Sequence, residues 1–274
     1  MRIEVDHHRC TNRETLAQAF SLEKQLAGGA IGKVLWDFTR REIVHPEAEG
    51  LENFATFRKH LENGGTGILY LKDPTEKITV PLAASAAEAN LVPLDRLGLF
   101  VSRRQVDWHQ GKHVPNYIQH LLLESFWGNY PGVTMIRLVQ PKDRDIYTDW
   151  AKYNPEAYAR AEAFAKTPGN IMVVTPEGER NPNGLGKAQI GFAALFRETK
   201  DTALAMPIAI PEGTSRVIAG PPISWKQAVE DHKSNPGMDM KTRLMARLAL
   251  LFPPEQRGAY AQTALEFVMP PIAA

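Results

Sequence analysis

Four apolar residues, Ile171-Met-Val-Val174, run straight into Thr-Pro-Glu-Gly-Glu-Arg180 and then Asn-Pro-Asn-Gly184. A short apolar run bounded by proline and glycine suits a strand buried on both faces. Pro176 and Gly178 stop that strand, and Asn-Pro-Asn-Gly makes a turn before the next helix. The stretch predicts a central strand that delivers an acid, a glycine and an arginine to its carboxyl end, where open α/β sheets bind ligands.

From residue 67 onward, strand-like and helix-like segments alternate. Strands are expected over 67–71, 133–136 and 171–174. Helices are expected over 80–90, 117–127, 155–166, 186–198 and 238–252, the last ended by Pro253-Pro254. No repeat, low-complexity tract or Gly/Ser/Pro-rich linker divides the chain. The expected fold is a single α/β domain over 50–274, with a mostly parallel or mixed central sheet, helices on both faces, and a helical extension over 1–49.

Leu16, Phe20, Leu26, Ile31, Val34, Leu35 and Phe38 recur at near-helical spacing around Gly28-Gly29, which predicts a helical hairpin. Glu23, Lys24 and Lys33 give it a polar face, so packing of its apolar face on the core is preferred to docking on lipid. With 43% hydrophobic and 23% charged residues, 274 residues suffice for one full α/β core. A net charge of +1 supplies no general attraction to nucleic acid, so an anionic ligand has to be held by local arginines. The single cysteine, Cys10, excludes an intrachain disulfide and a cysteine-rich metal site. Residues 1–50 show no basic head followed by an apolar signal core, and no run approaches the ~20 apolar residues of a spanning helix. A cytoplasmic protein is expected, with peripheral contact at the inner membrane face as its one route to lipid.

Pro176-Glu-Gly-x-Arg180 resembles the Pro-Glu-Gly-x-Arg block of the phospholipid/glycerol acyltransferases. That family includes the glycerol-3-phosphate and 1-acylglycerol-3-phosphate acyltransferases. Further segments resemble the family in order: Gly50-Leu-Glu-Asn, Leu61 to Tyr70, Gly191-Phe-Ala-Ala-Leu-Phe, Leu204-Ala-Met-Pro-Ile-Ala-Ile210, Val217-Ile-Ala-Gly-Pro-Pro-Ile223, and Leu250-Leu-Phe-Pro-Pro-Glu-Gln-Arg-Gly-Ala-Tyr260. A second block, Ile210-Pro-Glu-Gly-Thr-Ser-Arg216, has similar wording. Only the first is followed by a helix and a proline-containing strand, so the second reads as an ordinary turn.

The resemblance implies transfer of an acyl group from acyl-CoA or acyl-carrier protein to a glycerol-phosphate or lysophospholipid, with no other cofactor. It also implies a phosphate clamp of Arg137 and Arg180, with Glu177 orienting the turn or binding a glycerol hydroxyl. Gly178 would let the backbone approach the ligand. Arginine's planar fork suits phosphate. The competing reading of Glu177 and Arg180 is a local ion pair.

The family's base is a histidine, separated by four residues from an aspartate, just after the first strand. Here that place reads Leu69-Tyr-Leu-Lys-Asp-Pro-Thr-Glu-Lys-Ile78, with Asp73 and Ile78 at the two positions. The dyad is missing. Asp73 and Glu76 are the substitute candidates, although a carboxylate of ordinary pKa, roughly 3.9, is a weaker base than imidazole. Asp73-Pro74-Thr75 also reads as a plain turn. His60 comes too early, and His109, His113 and His120 lack a carboxylate to complete a metal set, so no metal is expected. No Gly-x-Ser-x-Gly elbow occurs. Two functions follow: an acyltransferase with an unusual base, or a catalytically inactive homologue that binds a phosphate-bearing lipid or acyl carrier.

Overall fold

Alternation within one strand sets both cores of the protein. In Thr66–Leu71 every residue is buried, with Ile68 and Tyr70 on one face and Leu69 and Leu71 on the other. Such two-sided burial requires helices on both sides of the sheet. The computed structural model describes residues 46–73, 79–93, 96–102, 134–141, 144–145, 147–178, 181–234 and 237–266.

Within these residues the strands are β1 (Glu47–Glu49), β2 (Thr66–Leu71), β3 (Leu97–Ser102), β4 (Thr134–Leu138), β5 (Ile171–Val174), β6 (Ala203–Ala209), β7 (Arg216–Ala219) and β8 (Ile223–Ser224). They form one sheet in the order β1-β7-β6-β2-β5-β3-β4, with β8 also on β6. The pairings are parallel except β6 with β7 and β6 with β8. The sheet is therefore mixed, as expected. β1 places residues before Gly50 on its edge.

Helices α1 (Leu51–Glu62) and α2 (Thr79–Asn90) cover one face, through Phe54, Phe57, Leu61, Leu82 and Ala86. The other face is covered by α3 (Trp150–Ala165), α4 (Ile190–Glu198), α5 (Trp225–Ser234), α6 (Met240–Ala249) and α7 (Ala261–Glu266). Ala157, Ala161 and Ala165 of α3 lie at i, i+4 and i+8, a stripe of small residues that brings this helix close to the sheet. No described helix is long and apolar enough to cross a membrane. The hairpin expected over 16–38 and the helix expected over 117–127 lie outside the described residues.

Several boundaries move for identifiable reasons. β4 runs to Leu138, two residues past its expected end. α3 begins at Trp150, so Pro155 lies inside it and not at its start, removing one backbone bond to the Ala151 carbonyl. α4 begins at Ile190, because Gln189 is extended (φ −80°, ψ 155°), with its amide given to the Pro176 carbonyl. The segment over 217–223, which resembles the family's closing strand and turn, forms β7, then Gly220-Pro221-Pro222, then β8, which begins at Ile223.

That division explains a proline in a central strand. β8 pairs with Leu204 and Ala205, and β7 pairs with Ile208 and Ala209, so Pro207 falls in the gap between them. Its carbonyl accepts from Gly220 N at 2.9 Å, which directs its missing N–H to the same gap and away from β2. No ladder bond is lost.

Gly67 has no room for a side chain: a Cβ there would lie 2.4 Å from the Phe57 ring. Gly67→Ala should cost about 1–3 kcal/mol by overpacking, and Phe57→Ala about 3–5 kcal/mol by leaving a cavity. Urea unfolding of the two variants checks both values.

Candidate functional site

β2 and β5 are parallel neighbours, yet the helices that follow them, α2 and α4, cover opposite faces of the sheet. Chains leaving in opposite directions open a crevice at the strands' carboxyl ends, the usual ligand position in open α/β sheets. Lys72 and Asp73 continue β2 into this crevice. The 175–178 turn continues β5 into it.

That turn is closed by Gly178 N donating to the Thr175 carbonyl at 3.1 Å, and Gly178 has a φ of 70°. The positive φ is a sound reason for glycine here. Within the turn, Glu177 is only 1% exposed. Its Oε2 accepts from Asp73 N at 2.6 Å and its Oε1 accepts from Gly186 N. Gln189 N donates to the Pro176 carbonyl at 2.7 Å. The turn is thus tied to the end of β2 and to the 184–189 segment leading into α4.

Burial of Glu177 pushes its carboxyl up to about 7, outweighing the hydrogen bonds from Asp73 and Gly186. The Asp73 charge acts in the same direction as burial, and the Lys72 charge against it.

The second Pro-Glu-Gly sequence does more than turn the chain. Gly213 has a φ of 75°, and Thr214 Oγ1 donates to the Pro211 carbonyl at 2.8 Å, as an ordinary turn requires. From it, Glu212 forms an ion pair with buried Lys72. β2 lies between β5 and β6, so successive residues at its end are held from opposite sides by Glu212 and Glu177.

The carboxyl-terminal segment braces both turns. Gln256 Oε1 accepts from Glu212 N at 3.0 Å, and Tyr260 Oη accepts from Ala188 N at 3.0 Å. Leu185 N donates to the Gln256 carbonyl at 3.2 Å and Ala259 N to the Leu185 carbonyl at 2.8 Å.

Beside the 175–178 turn lies a groove of about 960 Å³ between α3 and α4. Phe100, Leu138, Tyr158, Val174, Phe192 and Leu195 supply its apolar wall. It reaches Glu162 on α3, about 16 Å from Ala151 at about 1.5 Å per helical residue. Asn154 fixes one rim by pairing through its amide with both N and O of Val139, each at 2.9 Å. Gln140 Nε2 donates to the Gly178 carbonyl at 2.8 Å and so links that rim to the turn. Near the same rim, the Arg144 guanidinium lies 3.9 Å above the Trp150 ring.

Arg137 does not line this groove, and the other member of the expected clamp, Arg180, lies outside the described residues. Ile136 and Leu138 both join the core under α3 and α4, so Arg137 between them is directed to the opposite face. It also lies on β4, two strands from β5. Asp73 is half-buried and meets Glu177 through its backbone amide. Glu76 and Arg180 lie outside the described residues, as do His109, His113 and His120. His60 sits at the other end of the strands, with Nε2 2.8 Å from the Thr202 carbonyl just before β6. Among the described residues, no group of three or more His, Cys, Asp or Glu side chains is placed to hold a metal ion.

The roles of Asn154, Gln140 and the Lys72–Glu212 pair gave no signal in the sequence. Gln256 and Tyr260 lie within the 250–260 segment that resembles the family, and the fold brings them to Glu212 and Ala188.

Comparison with known proteins finds no matching family model and no matching curated protein. Among solved structures, the chain is similar to the 1-acyl-sn-glycerophosphate (LPA) acyltransferase PlsC from Thermotoga maritima, at 12% identity and a TM-score of 0.34. The match covers 80% of this chain and 75% of that one.

Glu177 binds its proton more tightly in the folded protein than its ordinary 4.5 would give. Its contribution to stability is therefore fully present below about pH 4.5 and is lost as pH rises through about 7. Carbon-detected NMR should show one glutamate carboxyl with a midpoint near 7, absent in Glu177→Gln. The urea midpoint of the wild type should fall across that window with a slope that the variant lacks. A Glu177 midpoint in the ordinary carboxylate range would contradict the burial argument.

Proposed function

We propose that this chain is an acyltransferase-like protein acting on a glycerol-phosphate or lysophospholipid acceptor, with acyl-CoA or acyl-carrier protein as donor. One observation carries the reading: the Pro-Glu-Gly turn that resembles the acyltransferase block opens beside an apolar groove at the carboxyl end of the sheet. The groove has the shape and lining to accept an acyl chain. Arg180 follows Gly178 by two residues in the sequence.

In the transfer, the acceptor hydroxyl oxygen bonds to the thioester carbonyl carbon and its proton passes to a base. The carbon–sulfur bond then breaks as the thiolate leaves. Asp73, at the end of β2, is the described candidate for the base, with Glu76 close behind it in the sequence. Glu177 serves by position: it holds the Asp73 amide and fixes the turn. A peripheral membrane contact through the amino-terminal segment would bring lipid substrate to the groove.

The second reading is a catalytically inactive homologue that binds a phosphate-bearing lipid or acyl carrier. It is favoured by the groove's lining, which includes no histidine among the described residues. General-base assistance is worth about 10²- to 10⁴-fold, so a site without imidazole depends on positioning and electrostatics.

Labelled acyl transfer from acyl-CoA and from acyl-carrier protein, to glycerol 3-phosphate and to lysophosphatidic acid, tests the first reading. Transfer at neutral pH should be slow, and Asp73→Asn should lower what there is by about 10²-fold. Lysophosphatidic acid binding without any transfer selects the inactive homologue. Loss of both binding and transfer removes both readings.

A further inference from the structure

Arg144 occupies an unusual position among the described cations. Its Cζ lies over the Trp150 ring, 3.9 Å from the ring centre, on the groove's rim, and it makes no hydrogen bond or ion pair among the described residues. Stacking on an indole occupies the face of a guanidinium and leaves its N–H edge for a ligand. The other charged residues of the groove are Glu162, Glu177 and Glu198. Glu177 is committed to two backbone amides, and Glu162 and Glu198 lie at the groove's other end, paired with Lys166 and Arg197. The groove is therefore polarised: one uncommitted cation at the rim joined to the Glu177 turn, an apolar wall, and acids beyond it.

We propose that Arg144, held on Trp150, binds the phosphate of a single-chain phospholipid whose acyl chain lies in the groove between α3 and α4. The occupant follows from charge and shape. A bare phosphate would leave the apolar wall of Phe100, Leu138, Tyr158, Phe192 and Leu195 wet, and a neutral lipid would leave the guanidinium edge unused. This assigns the phosphate contact to a residue on the groove's own face, where Arg137 is directed away. It deepens the acyltransferase-like reading and rests on it only in taking the groove as the ligand site.

Calorimetry on the full chain with lysophosphatidic acid, monoacylglycerol of the same chain length, and glycerol 3-phosphate tests this without requiring any acyl transfer. Arg144 is exposed, so Arg144→Ala should fold normally. It should weaken lysophosphatidic acid binding about tenfold or more while leaving monoacylglycerol affinity unchanged, the loss expected for a charge-assisted contact. Arg144→Lys should recover part of the loss, since a point charge replaces a fork. Trp150→Ala should weaken the same ligand with Arg144 intact. The proposal is overturned by equal lysophosphatidic acid affinity in wild type and Arg144→Ala. It is overturned equally by glycerol 3-phosphate binding as tightly as the lipid, or by a wild type that binds no lysophosphatidic acid. Selective loss in Arg144→Ala from a protein that transfers no acyl group upholds this site while removing the transfer reading.

Discussion

The carboxyl group of Glu177 joins the two segments that leave the middle of the sheet, and the geometry of the crevice depends on that link. Desolvating a carboxylate costs several kcal/mol, whereas hydrogen bonds to a charged group return about 1.5–3 kcal/mol each. With two backbone donors, from Asp73 and Gly186, the terms are close to balance, and burial prevails enough to move the group up to about 7. Neither amide could be left unpaired in its place without a similar penalty. The acid at this position is thus a requirement of two loops at once, which a single turn in isolation would not impose.

The same logic extends outward in layers. Lys72 is 6% exposed and would be costly to bury alone, and Glu212 from the neighbouring turn supplies its counter-charge. Glu212 is placed in turn by Gln256, whose backbone carbonyl also receives Leu185 N. Gly184 and Gly258 permit that approach: a Cβ on Gly258 would lie 2.3 Å from the Leu185 carbonyl oxygen. The carboxyl-terminal segment therefore acts as a brace. It reaches the 175–178 turn through Leu185, Gly186 and Ala188.

Much of this framework is legible in the sequence because it follows local rules. The apolar runs over 67–71 and 171–174 become adjacent central strands, since nothing but burial on both faces suits them. Asp239 at the start of α6 accepts from Thr242 N at 2.8 Å, an ordinary cap that fixes where that helix begins. The failures come from long-range bonds. Residues 186–189 carry a helix-like pattern, yet Gln189 is extended (φ −80°, ψ 155°) with its amide on the Pro176 carbonyl, so the helix begins at Ile190. Strand geometry in β4 continues through Leu138, and alternation between Ile136 and Leu138 then turns Arg137 to the face away from the groove. A base outside the first turn cannot be found from spacing, because the chain lacks the histidine that spacing would locate.

What distinguishes this site is where its polar groups are already spent. Glu177, Lys72 and Glu212, along with the amides of Asp73 and Gly186, are all engaged within the protein, so the crevice floor is rigid and largely self-satisfied. Rigid placement of a turn favours binding, since less ordering remains to be done when a ligand arrives. Proton transfer asks for something different: a group whose lone pair faces the acceptor hydroxyl. The described crevice meets the first demand more fully than the second. Its capacity for chemistry therefore turns on the carboxylates just beyond β2, whereas its capacity to hold an amphiphile is set by the groove wall and the stacked arginine on its rim.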